Sequence, residues 1–257
     1  MIDTHCHLTH ARFSGDTDEV VARARAAGVE ACVTIGTGID DAINALALTR
    51  RHPGVVFASA GLDPFSAHEA GDGFNSAFEA LEGLLAAGGF VALGEVGLDY
   101  HYDLDPRPVQ AARLERQLDL ARRLSLPVVI HVREAHDDMA AILKANPRNS
   151  GVIHSFTGGV SEAERYLALG WYLAFNGVVT FKNADDVRAA AKLIPSDRIV
   201  VETDSPYLAP HPKRGLRSEP AYVAFTLGEL ADARGEDVSA LEAVTTANAR
   251  ALFRLQP

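Results

Sequence analysis

The chain begins Met1-Ile2-Asp3-Thr4-His5-Cys6-His7-Leu8. An apolar start followed by two histidines two residues apart predicts a β-strand, on which His5 and His7 point to the same face and can hold one metal ion together. An open doubly wound sheet, the alternative fold, would carry a glycine-rich phosphate loop after its first strand. The His-Cys-His ending instead favours a closed parallel barrel, with Cys6 as a small buried side chain on the other face.

Seven more β-rich runs follow the first and alternate with amphipathic stretches. The eight predicted strands are Met1–Leu8, Ala31–Gly36, Val55–Leu62, Phe90–Leu98, Pro127–Val132, Gly151–Phe156, Trp171–Val179 and Arg198–Asp204. The predicted helices include Thr17–Ala27, Asp40–His52, Asn75–Ala87 and Val109–Leu124, and two more near Glu219–Arg234 and Val238–Phe253 close the chain. This alternation predicts the α/β class and a single (β/α)8 TIM barrel domain over residues 1–257, with C-terminal helices.

Length and composition limit the possible functions. The sequence has 257 residues, 47% of them hydrophobic and 23% charged, with a formal net charge of −10. The acidic balance argues against a broad basic surface for nucleic acid, and two cysteines argue against a disulfide framework. No apolar run reaches the roughly 20 residues of a membrane span, and no signal-peptide pattern opens the chain. We therefore expect a cytoplasmic protein that does not enter the membrane and is a monomer.

Metal-type side chains recur at the ends of the predicted strands, where the active site of a parallel barrel lies. The six candidate metal ligands are His5, His7, Glu95, His131, His154 and Asp204. A buried carboxylate is costly unless it is paired or bound to metal, and the two oxygens of Glu95 could bridge two cations. His131 and His154 would then hold the second ion. Asp204 would complete the first and take a proton from the attacking water, so Glu95 and Asp204 are the candidate catalytic residues.

The mixture of imidazoles and carboxylates predicts two divalent ions, with zinc or manganese favoured and magnesium less natural. Two ions about 3.5–4 Å apart could activate a hydroxide and stabilise both the attacking and the leaving oxygen of a phosphoester. The alternative for each residue alone is a satisfied core polar group or a partner of a metal ligand. Asp99 is predicted to be such a partner, holding an imidazole, and Glu202, two residues before Asp204 on the same strand face, is predicted to be either such a partner or a residue of the inner barrel layer.

Candidate substrate contacts surround these strand ends. Arg133 follows His131 by two residues and could contact a phosphate, while Lys213, Arg214 and Arg217 form a basic lip after the eighth strand. The alternative for each is a solvated surface charge or an ion-pair partner. Several aromatic rings lie near strand ends and could stack on unpaired bases, although ordinary packing explains them equally well. These rings are Phe65, Tyr100, Tyr102, Phe156, Phe181 and Tyr207.

The chain resembles the TatD-type metal-dependent deoxyribonucleases of the amidohydrolase superfamily over essentially its full length. The matching strings are Ile-Asp-Thr-His-Cys-His-Leu (2–8), Gly-Glu-Val-Gly-Leu-Asp-Tyr (94–100), Pro-Val-Val-Ile-His-Val-Arg-Glu-Ala (127–135), His-Ser-Phe-Thr-Gly (154–158), Glu-Thr-Asp-Ser-Pro-Tyr-Leu-Ala-Pro (202–210) and Arg-Gly-Leu-Arg-Ser-Glu-Pro-Ala-Tyr-Val (214–223). The resemblance implies a barrel with a two-metal site formed by the same six candidate ligands. It also implies hydrolysis of DNA phosphodiester bonds, as a 3′-to-5′ exonuclease or in DNA repair, on single-stranded or frayed ends.

One position departs from the family pattern. Family members usually carry Gly-x-His-Pro after the third strand, and this chain has Gly61-Leu62-Asp63-Pro64. A carboxylate at a phosphate-facing rim would repel phosphate and favour a cation, so Asp63 is a candidate determinant of substrate choice. His68, five residues later, could replace the missing histidine or be an exposed loop residue.

Three functions are therefore open. The first is a phosphodiesterase that cleaves DNA with a metal-activated hydroxide. The second uses the same site to cleave an amide, a lactone or an aminoacyl ester. The third is a non-catalytic protein that binds metal or nucleic acid.

Overall fold

Eight parallel strands form the centre of the molecule in the computed structural model, which describes residues 1–256. They pair in chain order, so each strand lies beside the next one in the sequence. The strands are β1 (Ile2–Cys6), β2 (Ala31–Thr37), β3 (Val56–Gly61), β4 (Ala92–Asp99), β5 (Val128–Arg133), β6 (Gly151–Ile153), β7 (Tyr172–Phe175) and β8 (Ile199–Val201). The predicted (β/α)8 barrel is confirmed.

The barrel closes between its first and last strands through the segments that carry predicted metal ligands. A parallel bridge joins Cys6 to Ser205. The His7 amide donates to the Ser205 carbonyl over 2.7 Å, and the Asp204 amide donates to the His5 carbonyl over 2.9 Å. Closure of the barrel and assembly of the strand-end cluster therefore depend on the same hydrogen bonds.

Helices surround the barrel, and none of those in residues 1–256 is long and apolar enough to cross a bilayer. The helices are α1 (Thr17–Ala26), α2 (Ile39–Arg51), α3 (Pro64–Ala70), α4 (Phe74–Ala87), α5 (Arg107–Leu124), α6 (His136–Ala145), α7 (Val160–Ala168), α8 (Asp185–Leu193), α9 (Val223–Arg234) and α10 (Val238–Phe253). An apolar cluster that includes Ile2, Val33, Val129 and Val200 fills the barrel interior and continues into Phe253 of α10. The C-terminal helix thus covers one end of the barrel and leaves the other end for the site.

The last three strands end earlier than predicted because the chain turns where polar side chains begin, and β1 and β3 are also shorter than predicted. The runs predicted to extend to Phe156 and to Asp204 end instead at Ile153 and Val201. Residues with positive φ follow both strands, Ser155 at 47° and Asp204 at 57°, and this left-handed conformation is incompatible with a strand. The seventh strand ends at Phe175, and a 3₁₀ helix (Gly177–Thr180) replaces its predicted last residues.

Two strands carry one extra residue each, at the positions of predicted metal ligands. Asp3 of β1 pairs with Cys32 of β2, and Cys6 pairs with Thr34. Three steps along β1 therefore match two steps along β2, and the extra residue lies in the stretch that includes His5. Likewise, three steps along β4, from Leu93 to Val96, match two steps along β5, and this stretch includes Glu95. Such bulges turn a side chain out of the regular alternation of a strand and are frequent beside active sites. At Gly97, a Cβ atom would lie 1.8 Å from the His131 carbonyl oxygen, so only glycine lets β4 approach β5 this closely.

Candidate metal centre

Four side chains from β1, β4 and the segment after β8 converge on one point. The Nε2 atom of His5 lies 3.2 Å from Nε2 of His7, 3.3 Å from Oε2 of Glu95 and 3.7 Å from Oδ1 of Asp204. Nε2 of His7 lies 3.3 Å from the same Asp204 oxygen. Ligand atoms about 2.1 Å from a tetrahedral ion are about 3.4 Å from one another. Donor atoms of His5, His7 and Glu95 therefore lie close enough together to hold one ion, and Asp204 lies beside both histidines.

A second group of donor atoms gathers on the other oxygen of Glu95. Its Oε1 atom lies 2.8 Å from Nδ1 of His131 and 3.3 Å from Nε2 of His154. Donor atoms of these three residues lie close enough together to hold a metal ion. The carboxylate of Glu95 is thus shared, with one oxygen facing each group, as expected of a bridging ligand.

The two histidines of the second group each have a carboxylate on their other ring nitrogen. Oδ2 of Asp99 lies 3.1 Å from Nε2 of His131, and Oε1 of Glu202 lies 3.1 Å from Nδ1 of His154. Glu202 also accepts the Ser155 amide over 2.7 Å. A carboxylate behind a ligating imidazole fixes the ring orientation and makes the ring a better ligand. The structure places Asp99 and Glu202 where the sequence predicts such partners.

At Glu95, His131 and Asp204, contacts with groups of opposite charge outweigh the effect of burial, which by itself favours the neutral form of each group. Burial would raise the pKa of Glu95, but the surrounding imidazoles hold it well below its usual value. Burial would lower the pKa of His131, but hydrogen bonds to Asp99 and Glu95 raise it to about 9. The pKa of Asp204 is lowered despite burial, chiefly by its hydrogen bond with His7. The carboxylates of Glu95 and Asp204 are therefore available as anions.

His5 lies inside the cluster as a neutral imidazole. Its side chain is fully buried, its ring stacks on that of His154 with centroids 3.7 Å apart, and burial lowers its pKa. Within residues 1–256, its Nδ1 atom has no hydrogen-bond partner. A neutral imidazole beside carboxylates is a donor set that suits a divalent zinc or manganese ion. The cluster can therefore bind metal.

Two adjoining cavities of about 480 and 450 Å³ open at this centre. Both are lined by His131, Arg133, His154, Asp204 and Tyr207. Cavities of this size suit a ligand with several polar contacts. The candidate ligands thus lie at the floor of an accessible space and not inside the closed core.

Arg133 and Asp63 both line the second cavity, with different surroundings. Arg133 is exposed, and no carboxylate in residues 1–256 lies within ion-pair distance of it. Asp63 is buried, and its carboxylate accepts the Phe65 amide over 3.3 Å and the Ser66 amide over 3.1 Å. Burial and the nearby charge of Glu95 raise the pKa of Asp63. Its carboxylate thus caps α3 at the cavity wall.

The predicted basic lip lies farther out, and none of its three residues lines either cavity. Arg217 forms ion pairs with Asp16 over 2.6 Å and with Glu219 over 3.1 Å. The guanidinium carbon of Arg214 lies 3.9 Å from the Phe181 ring centroid, and Lys213 lies over the ring of Tyr222 at 5.6 Å. These contacts fix the segment after β8, and substrate binding by Lys213, Arg214 and Arg217 stays a prediction.

Sequence reasoning missed Asp3, which joins β1 to the segment after β8 beside the metal cluster. Its buried carboxylate accepts the His5 amide over 3.2 Å, the Thr203 amide over 2.9 Å and the Thr203 hydroxyl over 2.6 Å. These bonds fix the segments that carry His5 and Asp204. Like Glu95, Asp3 is an acid in an apolar strand, and this pattern is visible in the sequence.

Comparisons with known proteins identify the family of the chain. A family model described as TatD related DNase matches residues 2–254. The chain is 36% identical to the uncharacterized metal-dependent hydrolase YabD of Bacillus subtilis, over 99% of each protein. It is 38% identical to the 3′-5′ ssDNA/RNA exonuclease TatD of Edwardsiella piscicida, over 99% of this chain and 100% of that protein.

A solved structure shares both fold and sequence with the chain. The TatD homologue YJJV of Escherichia coli superposes with a TM-score of 0.92 at 31% identity, over 100% of this chain and 98% of that one. From the full-length family match, these relatives and the metal-binding cluster, we conclude that the chain belongs to the TatD related DNase family of metal-dependent hydrolases.

Proposed function

We propose that this protein hydrolyses the phosphodiester bonds of single-stranded DNA, starting from the 3′ end, with two divalent metal ions. The observation that carries the proposal is the position of Glu95, whose two oxygens face two separate groups of donor atoms. The exonuclease name of the Edwardsiella piscicida relative supports the choice of substrate. The unpaired charge of Arg133 beside the cluster suits a phosphate.

The residues of the site have different roles in the proposed reaction. Bound zinc, manganese or magnesium ions would withdraw electron density from the phosphodiester and make an attacking water more acidic. His5, His7, Glu95, His131, His154 and Asp204 would hold them. Asp204 is ionised near neutral pH, because its lowered pKa leaves it without a proton, so it can accept one from the attacking water. Arg133 would neutralise and orient the phosphate.

Hydrolysis of an aminoacyl ester, an amide or a lactone is the second candidate. One observation favours it: Asp63 adds a carboxylate to the cavity wall, where a histidine is usual in the family pattern. A carboxylate there would attract an amine and repel a phosphate. A panel of dinucleotides, lactones and aminoacyl esters separates the two candidates. DNA repair as the cellular role, a cytoplasmic location, a monomeric state and a single domain stay predictions.

The first test is cleavage of a 5′-labelled single-stranded oligonucleotide. Wild-type protein loaded with manganese, zinc or magnesium should shorten it stepwise from the 3′ end, and a chelator should stop the reaction. Glu95→Ala and Asp204→Asn should lose at least about a hundredfold of the rate, because each removes a group at the reacting atoms.

Asp185→Asn is the matched control, since this carboxylate on α8 is 89% exposed and lines neither cavity. It should cleave at the wild-type rate. Full activity of folded Glu95→Ala and Asp204→Asn would contradict the proposal.

A further inference from the structure

Two exposed aromatic rings stand beside the metal centre. Phe65, in the first turn of α3, is 38% exposed, and Tyr102, after β4, is 53% exposed. Their ring centroids are 5.2 Å apart at an interplanar angle of 67°. Both line the cavity that Glu95 and His131 also line, and neither belongs to an apolar core cluster. Core packing therefore does not explain these rings.

An unpaired cation lies on one of the rings. The guanidinium carbon of Arg133 is 5.1 Å from the Tyr102 ring centroid. No carboxylate in residues 1–256 lies within ion-pair distance of Arg133, whereas Arg113 of α5, for example, pairs with Asp105 over 2.6 Å. Stacking on the ring leaves the N–H groups of Arg133 free to bind an anion. A ring surface and an anion-binding group therefore lie side by side.

The rings are held in position by the same acids that support the site. Asp63 accepts the Phe65 amide over 3.3 Å. Asp99 accepts the Tyr102 amide over 2.9 Å, and its other oxygen holds His131. The backbones of both aromatic residues are therefore fixed relative to the metal centre before any ligand binds, which lowers the entropy cost of binding.

We propose that Tyr102 and Phe65 form a stacking site for an unpaired base next to the scissile phosphodiester, while Arg133 binds the phosphate of that nucleotide. The site rests on the proposed function, which supplies the phosphodiester. A base has an apolar face and its phosphate is an anion, which matches the adjacent rings and guanidinium. A base inside a duplex cannot reach the rings, so this site favours single strands.

The test compares kcat/KM for two labelled strands, one of normal sequence and one whose 3′-terminal nucleotides lack bases. Tyr102→Leu should lower kcat/KM on the normal strand about tenfold, chiefly by raising KM, since stacking on a ring is lost. On the strand without terminal bases the loss should be clearly smaller, because only the support of Arg133 by the ring is removed. Tyr102→Phe keeps the ring and should retain the wild-type value on both strands.

Tyr172→Leu is the matched control. Tyr172 lies at the start of β7, at the opposite end of the barrel, and Arg198 stacks over it at 5.2 Å, much as Arg133 stacks over Tyr102. This variant should cleave both strands like wild type, and thermal unfolding shows whether each variant is folded.

Different results overturn different claims. An equal loss on both strands in Tyr102→Leu, no loss on the normal strand, or a similar loss in Tyr102→Phe would overturn the stacking site and leave the phosphodiesterase intact. Wild-type protein that cleaves neither strand with any of the three metals would overturn the proposed function and the stacking site with it.

Discussion

Asp63 lies at the cavity wall, yet its carboxylate is engaged by the start of a helix. It accepts two backbone amides and the Ser66 hydroxyl, and Pro64 occupies the first helical position. Backbone amides at a helix N-terminus carry partial positive charge, which offsets part of the carboxylate charge. The departure from the family's histidine therefore has a structural effect, in addition to any effect on substrate choice.

We predict that Asp63→Ala lowers the free energy of unfolding by about 1 kcal/mol, since the orphan amides of α3 lose their acceptor. Asp63→Asn should retain most of the stability, because asparagine caps helices about as well as aspartate. Chemical denaturation of the two variants and wild type measures the difference. An Asn variant as unstable as the Ala variant would show that the charge, and not the cap, matters.

At the residue scale, the strand-end positions in the sequence were enough to group His5, His7, Glu95, His131, His154 and Asp204 at one site. Strand ends in a parallel barrel meet at one rim, so side chains far apart in sequence can be predicted to converge. The sequence could not show that Asp63 caps α3 or that Asp16 and Glu219 engage Arg217, because those partners depend on loop conformation.

At the scale of elements, a small ion-pair network joins the start of α1 to the segment after β8. Asp16 accepts hydrogen bonds from Arg217 and Arg23, and Glu219 accepts from the same two arginines. Arg217 also lies over the ring of Phe13, 4.6 Å from its centroid. The network fixes the loop that follows Asp204.

The hydrogen bonds from Arg217 and Arg23 lower the pKa of Asp16 to about 2, from an ordinary value of 3.8. Because the folded-state pKa is the lower one, the stabilisation by Asp16 is present above pH 3.8 and is lost as the pH falls toward 2. Asp16→Asn should therefore have a lower melting temperature than wild type at neutral pH, and the difference in melting temperature should disappear on acidification. Melting curves from neutral pH to pH 2 measure it, and a gap that is constant across this range would contradict the assignment.

The sequence predicts the type of each element, strand or helix, more accurately than the residues at which the element begins and ends. All eight strands were predicted, but β-branched Val178 and Val179 lie in a 3₁₀ helix and not in β7. The Asn176 side chain accepts the Val178 amide over 3.1 Å and starts that helix, which overrides the strand preference of valine. The one-residue bulges in β1 and β4 also leave no pattern in the sequence, because they depend on the neighbouring strands.

On the scale of the whole molecule, the donor atoms come from the place where the first and last strands meet and from the strands in the middle of the chain. His5 of β1, His7 just after it and Asp204 after β8 lie where the first and last strands meet, while β4 and β5 supply Glu95 and His131. Metal bound there would join strands that are distant in sequence and would stabilise the folded barrel, because the unfolded chain offers no such site.

The number of manganese ions bound per chain, measured at equilibrium for wild type and Glu95→Ala, tests the central claim most directly. If Glu95 is shared by two donor groups, wild type should bind about two ions and the variant fewer than two, with weaker affinity. Asp185→Asn should bind as wild type does. One ion per wild-type chain at saturation, or two tightly bound ions in Glu95→Ala, would contradict the account.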